Sequence, residues 1–559
     1  MSNTEKTYGD QSLNKIIEDA IKNNWERMAL SDMGGKSYKF SELAECVSKL
    51  HILFEAAGVK TGDKVAICGK NSADWAAVFV SCLTYGAVAV PILHEFKPEN
   101  IHNLVEHSEA KLLFVDHAIM KNLEEDKLKG LTAALYLSEE GIAFSRSKQL
   151  SKAREDLNEL FGKKFPKEFS PEDISYYRDS PDDLAVINYT SGSTGSPKGV
   201  MLPYLSIWSN IRYCIDHLHF MKPGDGMINM LPLGHLYGMV IEMLHPLVKG
   251  CHCCFLTKAP SPRVLLSAFA EVRPKLIITV PLVLEKIIKS KVFPELEKPL
   301  MKFLLAIPFV NDRIYAKVKA KLVEVFGGEI QEIIIGGAPL NAEVEKFLYR
   351  IKFPITVGYG MTECGPLLTY ATPEESQPHT VGRIVDRMEV KIDSPDPVNV
   401  PGNIMVKGAN VMKGYYKNEK ATAEVFPNND GWMNTGDMGT ISPDGFITIS
   451  GRSKTMILGP SGQNIYPEEI EQKINNMPYV EESLVIDDNG KLVALIFPNY
   501  DEAKKKGLDD MALDKLMEAN LKGVNKELES FSRISNHELV DKEFEKTPKR
   551  SIKRFLYQR

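Results

Sequence analysis

Tyr189-Thr190-Ser191-Gly192-Ser193-Thr194-Gly195-Ser196-Pro197-Lys198-Gly199 follows directly on an apolar run that ends at Asn188. This order predicts a buried strand that opens into an anion-binding loop. The glycines let backbone N–H groups approach an anion, the hydroxyls of Thr190, Ser191, Ser193 and Thr194 donate hydrogen bonds, and Lys198 adds positive charge. All three features suit a polyphosphate. The loop is not a Walker A motif, because Lys198 follows Pro197 rather than Gly and no Ser/Thr comes after it. A Gly/Ser linker is the competing reading, but a linker has no reason to end a buried strand or to finish in Pro-Lys-Gly.

Outward from this loop the pattern alternates. Leu13 to Trp25 and Phe40 to Ala57 have helical apolar spacing. Short apolar runs at Lys64 to Ile67, Lys111 to Val115, Leu184 to Ile187, Lys275 to Val280, Glu332 to Ile335 and Pro354 to Val357 suit strands buried on both faces. The expected fold is therefore α/β. Ser151 to Asp183, charged and interrupted by prolines, is expected as a surface connection. From Gly402 the rhythm changes to short strands with turn signals such as Asn429-Asp430-Gly431 and Pro443-Asp444-Gly445, which predicts a β-rich subdomain. A hinge is placed at Arg452 to Thr455. This divides the chain into a large N-terminal domain, 1–452, and a small mobile α+β C-terminal domain, 453–559.

Five further segments occur in order with the loop: Leu231-Pro232-Leu233-Gly234-His235, Gly336-Gly337-Ala338-Pro339-Leu340, Gly358-Tyr359-Gly360-Met361-Thr362-Glu363, Asn434-Thr435-Gly436-Asp437 and Gly451-Arg452-Ser453-Lys454. Together with the loop they resemble the motifs of the adenylate-forming superfamily of acyl-CoA synthetases, luciferases and nonribosomal-peptide adenylation domains. The resemblance runs from about Lys39 to Arg554. It implies ATP and Mg²⁺ as cofactors and a carboxylic acid as substrate. Tyr359 then stacks on the adenine, Gly336, Gly337 and Ala338 bring backbone close to its edge, Gly360 and Met361 belong to the same ATP-binding set, Thr362 binds the α-phosphate, and Glu363 supplies a hard oxygen ligand for Mg²⁺. Asp437 accepts from the ribose hydroxyls, and Arg452 holds the same sugar or its phosphate. His235, Tyr237 and Gly238 fall where the family's acyl pocket begins, although a core histidine is an equal reading for His235.

Ser461-Gly462-Gln463-Asn464-Ile465-Tyr466-Pro467-Glu468-Glu469-Ile470-Glu471 resembles the segment that serves the thiol step, most closely in fatty acyl-CoA synthetases. Ser461 and Gly462 are its expected coenzyme A contacts, and Lys454 occupies the hinge position. One departure stands out. The family's terminal motif, Thr-x-x-Gly-Lys-aliphatic-x-Arg, reads Thr547-Pro548-Lys549-Arg550-Ser551-Ile552-Lys553-Arg554 here, with Ser551 at the place of the catalytic lysine.

The expected activity is conversion of a medium- or long-chain fatty acid to acyl-AMP and then to its coenzyme A thioester. The alternatives are transfer to a carrier protein, activation of another carboxylic acid, or, because of Ser551, a weakly active or non-catalytic binder of acyl chain and nucleotide. A net charge of −6 gives no basic field for nucleic acid. The N-terminus lacks a secretory pattern, so a cytoplasmic location is expected. The apolar window Met239 to Leu256 carries Glu242, His245 and Lys249 and is too interrupted to span a bilayer, so any membrane contact is expected to be peripheral. Cys251-His252-Cys253-Cys254 resembles a metal cluster, but neighbours on a strand point to opposite faces and cannot converge on one ion.

Overall fold

The computed structural model describes residue 8 and residues 11–137, 141–190, 197–258, 261–458, 463–546 and 552–559. Its largest sheet has eight strands in the order Gly414–Tyr415, Lys198–Pro203, Leu184–Thr190, Val88–Leu93, Lys64–Gly69, Ala110–Val115, Ala133–Tyr136 and Ile142–Ser145. The four central strands from Leu184–Thr190 to Ala110–Val115 run parallel, as their apolar sequences require. Helices cover them. Ala73–Tyr85 is one: Ser72 caps it by accepting from the Trp75 N–H at 3.1 Å, and Gly86 ends it at φ 83°.

Three parallel strands, Leu276–Thr279, Glu332–Ile335 and Ile355–Val357, form a second sheet. Their carboxyl ends lead into Val280, Gly336-Gly337 and Gly358-Tyr359. That is the edge at which open α/β sheets bind ligands. Met388–Asp393, Gly402–Gly408, Met433–Ile441 and Ile447–Arg452 form an antiparallel β-subdomain, whose first strand precedes the start expected at Gly402. In the smaller C-terminal domain, Val480–Asp488, Lys491–Pro498 and Ile534–Leu539 pack against the helices Pro467–Asn475 and Asp510–Glu527 around Ile470, Ile474, Met517 and Leu521.

One expectation needs amendment. Ser151 to Asp183 is more than a connection: Lys148–Glu155 and Leu157–Lys164 are helices whose Leu150, Ala153 and Leu157 are buried, an i, i+3, i+7 stripe masked by the surrounding charge. Met239 to Leu256 divides into a run of π-helix, Tyr237–Leu244, one turn of α-helix, His245–Val248, and the strand His252–Phe255. Glu242 interrupts its apolar pattern for a reason. Fully buried, it accepts from the Leu231 N–H at 2.9 Å, and burial pushes its carboxyl well above the usual range. Among the described residues no helix is long and apolar enough to cross a membrane.

Glu332 opens the middle strand of the second sheet. Buried, it accepts from the Tyr370 hydroxyl at 2.8 and 2.9 Å, and desolvation raises its pKa from 4.5 to about 7. A carboxyl raised in the fold contributes fully below its unfolded pKa, and that contribution is lost as pH rises through the folded value. From pH 4.5 to about 7 this group alone should therefore cost about 3 kcal/mol of stability. Glu332→Gln should flatten the fall of melting temperature across that window. Parallel melting curves for the two proteins would refute the assignment.

Candidate active site

Leu184–Thr190 and Lys198–Pro203 form an antiparallel hairpin in which Thr190 stands opposite Lys198. The intervening Ser191, Gly192, Ser193, Thr194 and Gly195 lie outside the described residues, as do Ser461, Gly462 and Ser551. At the hairpin mouth, Lys198 Nζ sits 4.9 Å above the ring of Tyr415, and the Tyr415 hydroxyl donates to Glu363 Oε1 at 2.8 Å. One tyrosine thus contacts both the lysine expected to serve the phosphate and the expected metal ligand. Burial, followed by the Glu363 charge, raises the Tyr415 pKa, so the phenol remains a donor. Tyr415 itself was not singled out by sequence reading. Its position depends on the pairing of Gly414–Tyr415 with Val200 and Met201, more than two hundred residues earlier in the chain.

Glu363 lies in the turn Thr362–Cys364, which is fixed by the Met412 N–H donating to the Glu363 carbonyl at 2.9 Å. Its donor set fits Mg²⁺. It offers one hard carboxylate, joined through Tyr415 to Lys198, and among the described residues no group of three His, Cys, Asp or Glu converges on a metal position, here or elsewhere. Mg²⁺ takes one or two carboxylates and completes its shell with phosphate oxygens and water.

A second cluster lies on the β-subdomain side. The Tyr359 hydroxyl donates to Asp437 Oδ2 at 2.6 Å, and Arg452 Nε lies 3.3 Å from Asp437 Oδ1. Asp437 and Arg452 face each other across adjacent strands. Burial lifts the Asp437 carboxyl above its usual range, and Arg452 opposes that shift. Gly360 fits only as glycine, because a Cβ would collide with the Pro366 carbonyl. The Met361 N–H donates to that carbonyl at 2.8 Å.

Gly336 and Gly337 follow the central strand of the parallel sheet, with Ala338 next. A Cβ on Gly336 would come within 3.2 Å of the Tyr237 ring, and the Tyr237 hydroxyl donates to the Ile334 carbonyl at 3.2 Å. The expected acyl-side tyrosine and adenine-side glycine are therefore in contact. Gly337 adopts φ 85°, in the left-handed region that glycine tolerates. Gly238 lies against backbone: a Cβ there would meet the Pro232 and Leu231 carbonyls at 2.7 and 2.9 Å. The His235 N–H donates to the Pro232 carbonyl at 3.0 Å, and Asn188 Nδ2 donates to the Gly234 carbonyl at 2.9 Å, tying this segment to the phosphate-loop strand.

Lys454 is exposed in the turn after Arg452, between Ser453, whose N–H donates to the Gly436 carbonyl, and Thr455, whose hydroxyl donates to Glu468 at 2.6 Å. The C-terminal domain also reaches the glycine loop, where Gln472 Nε2 donates to the Leu340 carbonyl at 3.0 Å.

Residues 17–416 match the family described as AMP-binding enzyme, and residues 454–558 match the AMP-binding enzyme C-terminal domain. The chain belongs to this adenylate-forming family. It is 28% identical to the long-chain-fatty-acid–CoA ligase FadD15 of Mycobacterium tuberculosis over 460 residues, covering 77% of this chain and 72% of that one. It is 27% identical to long chain acyl-CoA synthetase 1 of Arabidopsis thaliana, covering 99% and 87%. ATP-bound MatB from Rhodopseudomonas palustris has the same fold, with a TM-score of 0.75 at 22% identity and 98% of both chains covered.

Proposed function

We propose that this protein is an AMP-forming acyl-CoA ligase acting on medium- or long-chain fatty acids. The observation that carries the reading is the line Lys198–Tyr415–Glu363 at the mouth of the phosphate hairpin, with Tyr359–Asp437–Arg452 beside it. A cation, a carboxylate for Mg²⁺ and a buried acceptor for ribose hydroxyls are what the adenylation of a carboxylate needs. Relatives named as long-chain-fatty-acid–CoA ligases, aligned over 77% and 99% of this chain, support the fatty-acid reading.

In the first step a carboxylate oxygen of the acid forms a bond to the α-phosphorus of ATP, the bond to the β-phosphate oxygen breaks, and pyrophosphate leaves. Lys198 neutralises phosphate charge, and Thr362 donates to the α-phosphate. Glu363 would hold Mg²⁺, which would supply further charge neutralisation. Asp437 fixes the ribose, and its bond from Tyr359 sets the angle of that ring against the adenine. His235 and Tyr237 border the acyl chain. In the second step the coenzyme A thiolate attacks the acyl carbon, AMP leaves with the anhydride oxygen, and the thiol proton goes to solvent. Ser461 and Gly462 approach the pantetheine arm, and a rotation at Lys454, with 1–452 and 453–559 as the moving bodies, exchanges the groups that the two steps require.

Pyrophosphate exchange with a panel of acids tests this. Octanoate and palmitate should support exchange and, with coenzyme A, thioester formation. Far better turnover of acetate, benzoate or an amino acid would sink the fatty-acid assignment.

A further inference from the structure

Past the carboxyl end of the strand Leu276–Thr279, the chain leaves the candidate site through Val280 and enters the helix Pro281–Ile287, which still buries Pro281 and Leu284. From Lys289 to Lys321 no residue is buried, although the stretch contains Phe293, Leu296, Leu300, Phe303, Phe309 and Val310. The short helix Pro299–Leu305 buries nothing, and the long helix Val310–Val325 buries only Leu322. Leu300 is 71% exposed, Phe303 66% and Phe309 84%. Single exposed apolar residues are ordinary, but several large ones within so short a stretch, with nothing buried between them, mark a surface that meets something else. Phe309 adds a backbone argument: its φ of 65° is costly for an aromatic residue, and the conformation leaves its ring in solvent.

Charge identifies the partner. The same stretch carries eight Lys/Arg and three Asp/Glu in a chain whose net charge is −6. Lys289, Lys291, Lys298, Lys302, Arg313 and Lys317 are all exposed, interleaved with the apolar side chains. Against a second copy of the chain, a self-complementary contact would set like charges together. An anionic bilayer satisfies both components, since phenyl and leucyl groups enter the acyl boundary while lysines remain among the headgroup phosphates. We propose that residues 289–321 form a peripheral docking surface for anionic phospholipid membranes. This surface is separate from the adenylation chemistry and does not depend on the acid that is activated.

Flotation of the full chain with phosphatidylcholine vesicles containing one third phosphatidylglycerol tests the proposal. The protein should float with these vesicles, weakly with phosphatidylcholine alone, and less as salt is raised. Lys302→Gln and Lys317→Gln should each lower partitioning about fivefold. Phe303→Ser and Phe309→Ser should each lower it at least about fivefold while leaving the melting temperature unchanged, because both rings are already exposed. The proposal fails if the protein does not float, if it binds neutral and anionic vesicles alike, or if these substitutions leave binding intact. It also fails if sedimentation shows a dimer that Phe309→Ser dissociates and vesicles do not bind.

Discussion

Glu363→Gln should lower acyl-AMP formation by about 10³-fold and remove its dependence on Mg²⁺, while the protein melts as the wild type does. The substitution is nearly isosteric. Its amide oxygen can still accept from the Tyr415 hydroxyl, which lies 2.8 Å from Oε1, so the side chain keeps its anchor and loses only its charge and one oxygen donor. An NH₂ group cannot ligate a hard cation. Tyr415→Phe provides the graded control. It leaves the Glu363 charge in place and frees the carboxylate to turn, so it should cost about tenfold and raise the Mg²⁺ concentration needed for half-maximal rate. Pyrophosphate exchange titrated with Mg²⁺ measures both, and calorimetry of ATP binding with and without Mg²⁺ separates loss of the metal from loss of the nucleotide. An unchanged rate and Mg²⁺ profile in Glu363→Gln would show that the ligand lies elsewhere.

The sequence made the frame legible because strands buried on both faces must be apolar throughout. Glu332–Ile335 has the bounds expected from its apolar run, and Leu184–Thr190 and Ile355–Val357 differ from theirs only at the ends. Turn chemistry likewise marked the β-subdomain. Charge obscured the apolar stripe of Leu150, Ala153 and Leu157, because helical periodicity is hard to see when most of the face is Lys, Arg and Glu. Within the site, residues in compact motifs were readable and their couplings were not. Tyr359 and Asp437 stand 78 positions apart, and no local pattern announces their hydrogen bond. Tyr415 has no motif of its own, since an aromatic after glycine is commonplace, and only strand pairing brings it between Lys198 and Glu363. The glycines are a middle case: their spacing suggested close approach, but the identity of the approaching group, Tyr237 for Gly336 and backbone for Gly238, is set by the fold.

Ser551→Lys should raise acyl-AMP formation by about 10² to 10³-fold over the chain as it stands. A lysine at this place in the family's motif puts a cation beside the α-phosphate and the attacking carboxylate as charge shifts between them, and a preorganised donor of that kind contributes about 3 to 4 kcal/mol. Serine is neutral and too short to replace it. The rival account is a shifted register in which Lys549 or Lys553 takes over. Lys549 and Ser551 lie outside the described residues, but the segments flanking them bear on the question. Lys546 pairs with Ile552, and the Lys553 N–H donates to the Glu545 carbonyl at 2.8 Å. Lys553 Nζ is held 3.1 Å from Glu545 Oε2, and Arg554 Nη1 donates to Glu471 Oε1 at 2.8 Å. Recruiting Lys553 would require breaking its ion pair and sliding a register tied at two backbone positions, whereas a lysine at 551 requires neither. Lys553→Ala should therefore leave adenylation within about twofold, in keeping with the small worth of a largely exposed ion pair. Single-turnover acyl-AMP formation without coenzyme A compares Ser551→Lys, Lys549→Ala and Lys553→Ala with the parent. No gain in Ser551→Lys, together with collapse in either alanine variant, would show that the neighbouring lysine is the catalytic one.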